Sequence, residues 1–109
     1  MCCGNPNQEV TQAPEPEPVY PVKVKYLGDL AGTSPFTGEV TKARREFGRW
    51  ARINTIDLLD APGYLFRKLT GGGAEFELQQ PDEDIPQANF DQVISLLGDK
   101  VGQVQIASA

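Results

Sequence analysis

Apolar and charged side chains alternate strictly in the order Val22, Lys23, Val24, Lys25 and Tyr26. A period of two residues places the apolar side chains on one face of a β-strand and the lysines on the other. Similar short extended stretches recur at residues 35–41, 44–47, 50–56, 74–78 and 101–106. Glycine, proline and aspartate separate most of these stretches, so we predict about four to six short strands joined by turns.

Two segments depart from this alternation and predict short helices. Asp60 is a favourable N-cap residue, and Pro62 suits the first helical turn, where its missing N–H is not needed. A second helix is predicted from residue 90 to residue 97, with Asn89 as its cap and Gly98 as its stop. The apolar residues at helical spacing in that segment are Phe90, Val93, Ile94 and Leu97.

These elements predict a mainly β fold. A small barrel of SH3 or OB type, or a strongly bent sheet, accommodates such short strands with one or two short helices around one modest core. Five aromatic residues are expected to fill this core or to anchor contacts with other proteins: Tyr20, Tyr26, Phe36, Phe47 and Trp50.

The first 18 residues differ in composition from the rest of the chain. They contain Val10 as the only sizeable aliphatic residue past Met1, together with Pro6, Pro14, Pro16 and Pro18. Such a segment buries too little apolar area to offset its ordering entropy, which predicts an extended arm with a polyproline bias. We therefore divide the chain into an arm, residues 1–18, and one domain, residues 19–109. The arm is either a disordered tail or a segment that becomes ordered across a neighbouring subunit.

The 109 residues include no histidine, and their formal net charge is -5. Without imidazole, the usual general base, metal ligand and activator of serine or cysteine nucleophiles is missing. We therefore expect a protein that is not an enzyme and needs no cofactor.

The charge is distributed unevenly along the chain. The arm has three acidic residues and no cation, residues 19–80 have nine cations against seven anions, and residues 81–109 have five anions against one cation. An acidic total argues against free nucleic acid as the main partner.

Five cations fall within eleven residues of the domain, beside the aromatic residues Phe47 and Trp50. This basic stripe predicts an interface, formed by Lys42, Arg44, Arg45, Arg49, Trp50 and Arg52. Three interpretations stay open. The stripe is a solvated β face whose aromatic residues point into the core, or it contacts an acidic protein surface, or it follows the phosphates of a single strand whose bases stack on the aromatic rings.

Cys2 and Cys3 are adjacent in sequence. A disulfide between neighbours strains the peptide that joins them, so the expected disulfides connect different chains, with inert thiols, a shared metal or acylation as alternatives.

The carboxylates of Asp57, Asp60 and residues 82–84 lack a metal-ligand spacing, and we predict no metal site. The chain has neither a membrane-spanning apolar run nor a secretory signal, which predicts a protein made in the cytoplasm.

Several motifs follow one another in a distinctive order: Tyr26-Leu27-Gly28, Gly38-Glu39-Val40-Thr41, Phe47-Gly48 and Asp60-Ala61-Pro62. In this order the chain resembles small virion proteins of tailed bacteriophages. Their pattern is a strand ending in Tyr-x-Gly, a Gly-x-Val-Thr hairpin, an aromatic–glycine turn and an Asp-Ala-Pro that begins a short helix. The resemblance covers about residues 22–66. It implies a structural role at the capsid surface or the head-to-tail neck, in many symmetric copies.

The expected function is therefore that of a virion structural protein. Its β-rich body and its arm would bridge and stabilise neighbouring capsid, portal or neck subunits, with homo-oligomers or symmetric arrays as the expected assembly. The expected location is the virion, after synthesis in the host cytoplasm. The alternative function is a small nucleic-acid-binding module that uses the stripe from Lys42 to Arg52.

Overall fold

The computed structural model describes residues 20–108. The strands are β1 (Pro21–Tyr26), β2 (Thr33–Thr37), β3 (Arg44–Gly48), β4 (Ile53–Asp57), β5 (Phe76–Leu78) and β6 (Gln105–Ile106). The helices are α1 (Ala61–Leu65) and α2 (Gln87–Leu97), and a 3₁₀-helix covers Gly98–Gln103. This arrangement confirms the prediction of a small, mainly β fold with short helices. The predicted arm, residues 1–18, lies outside the described residues.

The strands form two sheets around one core. The larger sheet has the order β4-β1-β5-β6, in which β1 is antiparallel to β4 and β5, and β5 is parallel to β6. Strands β2 and β3 form a separate antiparallel hairpin. Val22, Val24 and Tyr26 of β1 are all buried, as their alternation predicts, and Val22 lies opposite the buried Ile56.

An aromatic cluster joins the two sheets and α1. The ring of Phe76 on β5 lies at its centre, 4.8 Å from the ring of Phe47, 5.1 Å from that of Tyr64 and 5.2 Å from that of Phe36. Each such pair adds about 0.5–1.5 kcal/mol beyond its buried area. Burial raises the pKa of Tyr64 to about 12, and its hydroxyl donates a hydrogen bond to the Phe36 carbonyl at 3.2 Å.

Helix α2 packs against this core with Val93 and Leu97 fully buried, as the helical spacing predicts. The prediction that Asn89 caps the helix is wrong, since α2 begins two residues earlier and Asn89 lies within it. The Asn89 carboxamide instead donates a hydrogen bond to the Pro21 carbonyl at 3.0 Å. This bond ties the first turn of α2 to the start of β1.

Asp60 occupies the N-cap position of α1, but its carboxylate makes no capping hydrogen bond. It accepts hydrogen bonds from the Val40 and Thr41 backbone N–H groups, each at 2.9 Å, and from the Thr41 hydroxyl. A Cβ atom on Gly38 would collide with this carboxylate, so the glycine permits the close approach. Asp60 thus fastens the β2–β3 loop to the start of α1.

Four predicted strands are shorter than their sequence patterns suggest, and two of them differ because β2 ends at Thr37 and β5 begins at Phe76. The fourth strand begins at Ile53 because Trp50 and its neighbours form a turn, and the last strand covers only Gln105 and Ile106. The segment before the last strand is a 3₁₀-helix, whose two glycines and low apolar content give it little to bury on a sheet.

Candidate docking surface

The cations of the predicted stripe lie on different elements and face different local partners. Lys42 occupies the β2–β3 loop with a φ of 65°, a left-handed conformation. Arg44 on β3 lies 3.7 Å from the carboxylate of Glu46 on the same strand. Arg45 donates a hydrogen bond through Nε to the Thr55 carbonyl at 3.0 Å. Arg44 and Arg45 thus have different local partners, although they are adjacent in sequence.

Arg45 crosses the gap between the two sheets. Strands β3 and β4 are neighbours in sequence, yet they belong to different sheets and are joined through side chains. Asn54 on β4 makes the second connection, because its amide donates a hydrogen bond to the Glu46 carbonyl at 3.4 Å. These bonds partly satisfy the unpaired edges of both strands, which an open sheet would leave bare.

The last two arginines of the stripe hold the β3–β4 turn in place. Arg49 donates from Nε to the Asp29 carboxylate at 3.0 Å, and its backbone N–H donates to the Leu30 carbonyl at 2.8 Å. Arg52 donates from one terminal nitrogen to the carbonyls of Tyr26 and Gly28, at 3.0 and 2.9 Å. Both guanidinium groups thus anchor the turn to the β1–β2 connection.

The turn itself is tight. Gly48 and Ala51 exchange two backbone hydrogen bonds of 3.1 Å, which leaves Arg49 and Trp50 as the two residues of the loop. A Cβ atom on Gly48 would collide with the backbone carbonyl of Gly32, so only glycine permits this approach of the two strands.

Trp50 projects from this fixed turn with 86% of its surface exposed. The expectation that it fills the core is therefore wrong, whereas the expectation that it anchors a contact fits its position. Phe47, three residues earlier, is completely buried and belongs to the aromatic cluster. Alternation alone could not separate these two roles, because the strand that contains Phe47 ends at Gly48 and Trp50 lies in the turn that follows.

Two aliphatic side chains are also exposed on the segments that flank or contact this turn. Leu30 is exposed beside the backbone of Arg49, and Ile53 is exposed at the start of β4. We call Leu30, Trp50 and Ile53 the Trp50 surface. Its composition is typical of an interface hot spot: an exposed tryptophan on an ordered turn, two exposed aliphatic side chains, and arginines held by hydrogen bonds.

The acidic side chains are held by nearby donors. Asp57 accepts hydrogen bonds from the backbone of Leu59 and Tyr20, at 2.9 and 3.4 Å. The Lys23 ammonium donates to Asp82 at 2.8 Å, and this bond holds the pKa of the Asp82 carboxyl below its usual value. Among residues 20–108, no group of three cysteine or carboxylate side chains is placed to hold a metal ion.

Cys2 and Cys3, the predicted cross-linking residues, lie outside the described residues, and their disulfide stays a prediction. No helix in residues 20–108 is long and apolar enough to cross a bilayer.

No protein-family model, curated protein or solved structure matches the chain. The resemblance to small virion proteins of tailed bacteriophages likewise stays a prediction, carried by its sequence motifs.

Proposed function

We propose that this protein is a non-enzymatic docking protein that joins neighbouring subunits of a tailed-bacteriophage virion. Its partners are other virion proteins at the capsid or neck, including further copies of itself, and it needs no cofactor. It is made in the host cytoplasm and acts in the virion. The observation that supports docking most directly is the exposure of Trp50 on a turn fixed by Arg49 and Arg52.

Because the turn is already held in place, less of the free energy gained by burying Trp50 is lost when a partner binds. Burying a tryptophan removes roughly 150–250 Å² of mostly apolar surface from water, whereas ordering a flexible loop would consume part of that gain. Arg49 and Arg52 hold the turn before a partner binds, through hydrogen bonds to Asp29, Tyr26 and Gly28. Truncating an anchor of this kind typically weakens binding by about 2 kcal/mol or more.

Purified virions that carry the chain test this proposal by quantitative mass spectrometry. We expect the wild-type chain in many copies per particle and the Trp50→Ala variant reduced by at least about tenfold, the factor given by roughly 1.4 kcal/mol. Val40→Ala is the matched control, since Val40 is 59% exposed at the tip of the other hairpin. Circular dichroism establishes that both variants fold.

The outcomes separate the two parts of the proposal. Absence of the wild-type chain from particles would contradict the virion role. Equal incorporation of Trp50→Ala and Val40→Ala would leave the virion role standing and contradict docking through Trp50.

The alternative nucleic-acid function has less support. The Asp29 carboxylate partly neutralises the charge of Arg49, and the hydrogen bonds of Arg52 to two backbone carbonyls direct its guanidinium into the protein. We expect negligible binding to single-stranded oligonucleotides even at low salt, measured by fluorescence anisotropy. Tight binding that falls steeply as salt increases would favour the alternative and contradict our proposal.

A further inference from the structure

A partner that covers Trp50 has to contact an apolar ring and accept one hydrogen bond. Trp50 is 86% exposed, and its indole N–H has no acceptor among residues 20–108. Buried tryptophan N–H groups usually have a hydrogen-bond partner, because an unpaired buried donor is costly. A purely apolar surface would therefore be a poor partner, whereas an extended backbone with unpaired carbonyls would meet both requirements.

The arm of this chain contains a sequence of that kind. Proline and glutamate alternate from Pro14 to Pro18. A polyproline II segment has no internal hydrogen bonds, so its backbone carbonyls are available to a partner, and aromatic side chains are the usual binding surface for such segments. Its low conformational entropy also reduces the cost of ordering on binding. Pro16 is the proline with a glutamate on each side, Glu15 and Glu17.

The charges of the arm and of the Trp50 turn are complementary. Residues 25–30 and 48–53, which form and contact the turn, contain three cations and one anion: Lys25, Arg49, Arg52 and Asp29. The Arg49 side chain is 38% exposed, and two of its five N–H groups donate to Asp29. Its guanidinium therefore keeps donors that a second carboxylate can use. The arm supplies three glutamates and no cation.

The length of the chain requires that this arm belongs to a neighbouring copy. Pro16 precedes Tyr20 by four residues, which span at most about 14 Å. The six residues of β1 separate Tyr20 from the Tyr26–Arg52 hydrogen bond beside the Trp50 turn, a distance of roughly 20 Å. Pro16 of one copy therefore falls short of the Trp50 turn of the same copy, whereas the arm of a neighbour is not limited in this way.

We propose that Trp50 binds the segment Glu15-Pro16-Glu17 of a neighbouring copy, with the Pro16 ring against the indole. The indole N–H donates to a backbone carbonyl of that segment, and Arg49 pairs with one of its two glutamates. One proline and its immediate neighbours fill the site, so a single exposed ring is enough to bind the segment. This contact rests on the proposed docking through Trp50 and identifies what docks there.

Fluorescence quenching in mixtures of two full-length chains tests the contact. Trp50 is the single tryptophan of the chain, so a reporter chain with Cys2→Ser and Cys3→Ser shows tryptophan fluorescence from this position alone. The labelled chain has the same two substitutions, Trp50→Phe, and a nitroxide attached through Ala13→Cys. This label lies roughly 9 Å from Pro16 in the polyproline II conformation, and nitroxides quench tryptophan only at short range. An excess of labelled chain should quench most of the reporter fluorescence relative to the reduced nitroxide.

Two proline substitutions in the labelled chain supply the matched comparison. Pro16→Ala removes the ring that contacts Trp50 and should raise the concentration needed for half of the quenching by at least about tenfold. Pro6→Ala removes a proline from another part of the arm and should leave that concentration unchanged. Neither substitution alters a described residue, so the fold of the domain is not at stake.

Quenching that Pro16→Ala weakens and Pro6→Ala does not would support the contact. Equal effects of the two substitutions, or no quenching by the labelled chain with both prolines intact, would overturn it. The incorporation of Trp50→Ala into virions measures the proposed function separately. Failure of the arm contact alone would therefore leave docking of Trp50 on another virion protein in place.

Discussion

A single buried carboxylate, that of Asp60, connects two segments about twenty residues apart in sequence. It is only 2% exposed and accepts backbone hydrogen bonds from Val40 and Thr41. Hydrogen bonds from neutral donors to a buried carboxylate contribute about 1.5–3 kcal/mol each. One side chain thus joins the Gly38-Glu39-Val40-Thr41 and Asp60-Ala61-Pro62 segments.

Gly38→Ala tests the closeness of this contact. We expect the substitution to destabilise the fold by about 1–3 kcal/mol, because the new methyl group displaces the Asp60 carboxylate. In an Asp60→Ala background the methyl group has room, and the cost of Gly38→Ala should largely disappear. Urea denaturation of the four proteins in this double-mutant cycle measures the coupling, expected to exceed about 1 kcal/mol. Simple additivity would show that Gly38 and Asp60 do not constrain each other.

Elements whose apolar residues recur with one period were predictable from the sequence, whereas the roles of their side chains were less predictable. The alternation of Val22, Val24 and Tyr26 predicted β1 and its buried face, and the spacing of Val93 and Leu97 predicted α2. Local patterns are enough there because every residue of the element obeys one period.

The contacts of the candidate site were not predictable in the same way. Arg49 meets Asp29 twenty residues away, and Arg52 meets the carbonyls of Tyr26 and Gly28, which every sequence offers equally. The sequence indicated a charged stripe beside an aromatic residue. Only the fold shows that Arg49 and Arg52 hold the turn that carries Trp50.

The β3–β4 turn depends on one glycine, and a matched pair of substitutions tests that dependence. Gly48→Ala should destabilise the fold by about 1–3 kcal/mol, because its methyl group would collide with the Gly32 backbone. Gly32→Ala is the control, since a Cβ atom there meets nothing within 4 Å. Thermal unfolding compares the two variants. Equal effects would mean that the close approach at Gly48 is not what shapes the turn.

The Trp50 turn and the start of β1 lie at opposite ends of the β1–β4 ladder. The Tyr26–Arg52 backbone hydrogen bond marks the end beside the Trp50 turn, and the Leu58–Tyr20 bond marks the end at which residue 19 joins the domain. A strand of six residues is roughly 20 Å long, so a partner bound at the Trp50 surface leaves the start of β1 accessible.

The proposed docking between copies of this chain predicts that Cys2 and Cys3 cross-link neighbours. Mild oxidation should give a ladder of dimers, trimers and longer species on a non-reducing gel, since each copy of the proposed symmetric array meets at least two neighbours. Cys2→Ser with Cys3→Ser should remove the ladder without changing the assembled mass in light scattering, because the non-covalent contacts remain. Trp50→Ala should shorten the ladder by weakening docking, whereas Val40→Ala should not. A ladder that ends at the dimer would indicate a two-fold contact, and an unchanged ladder with Trp50→Ala would show that the Trp50 surface does not join copies of this chain.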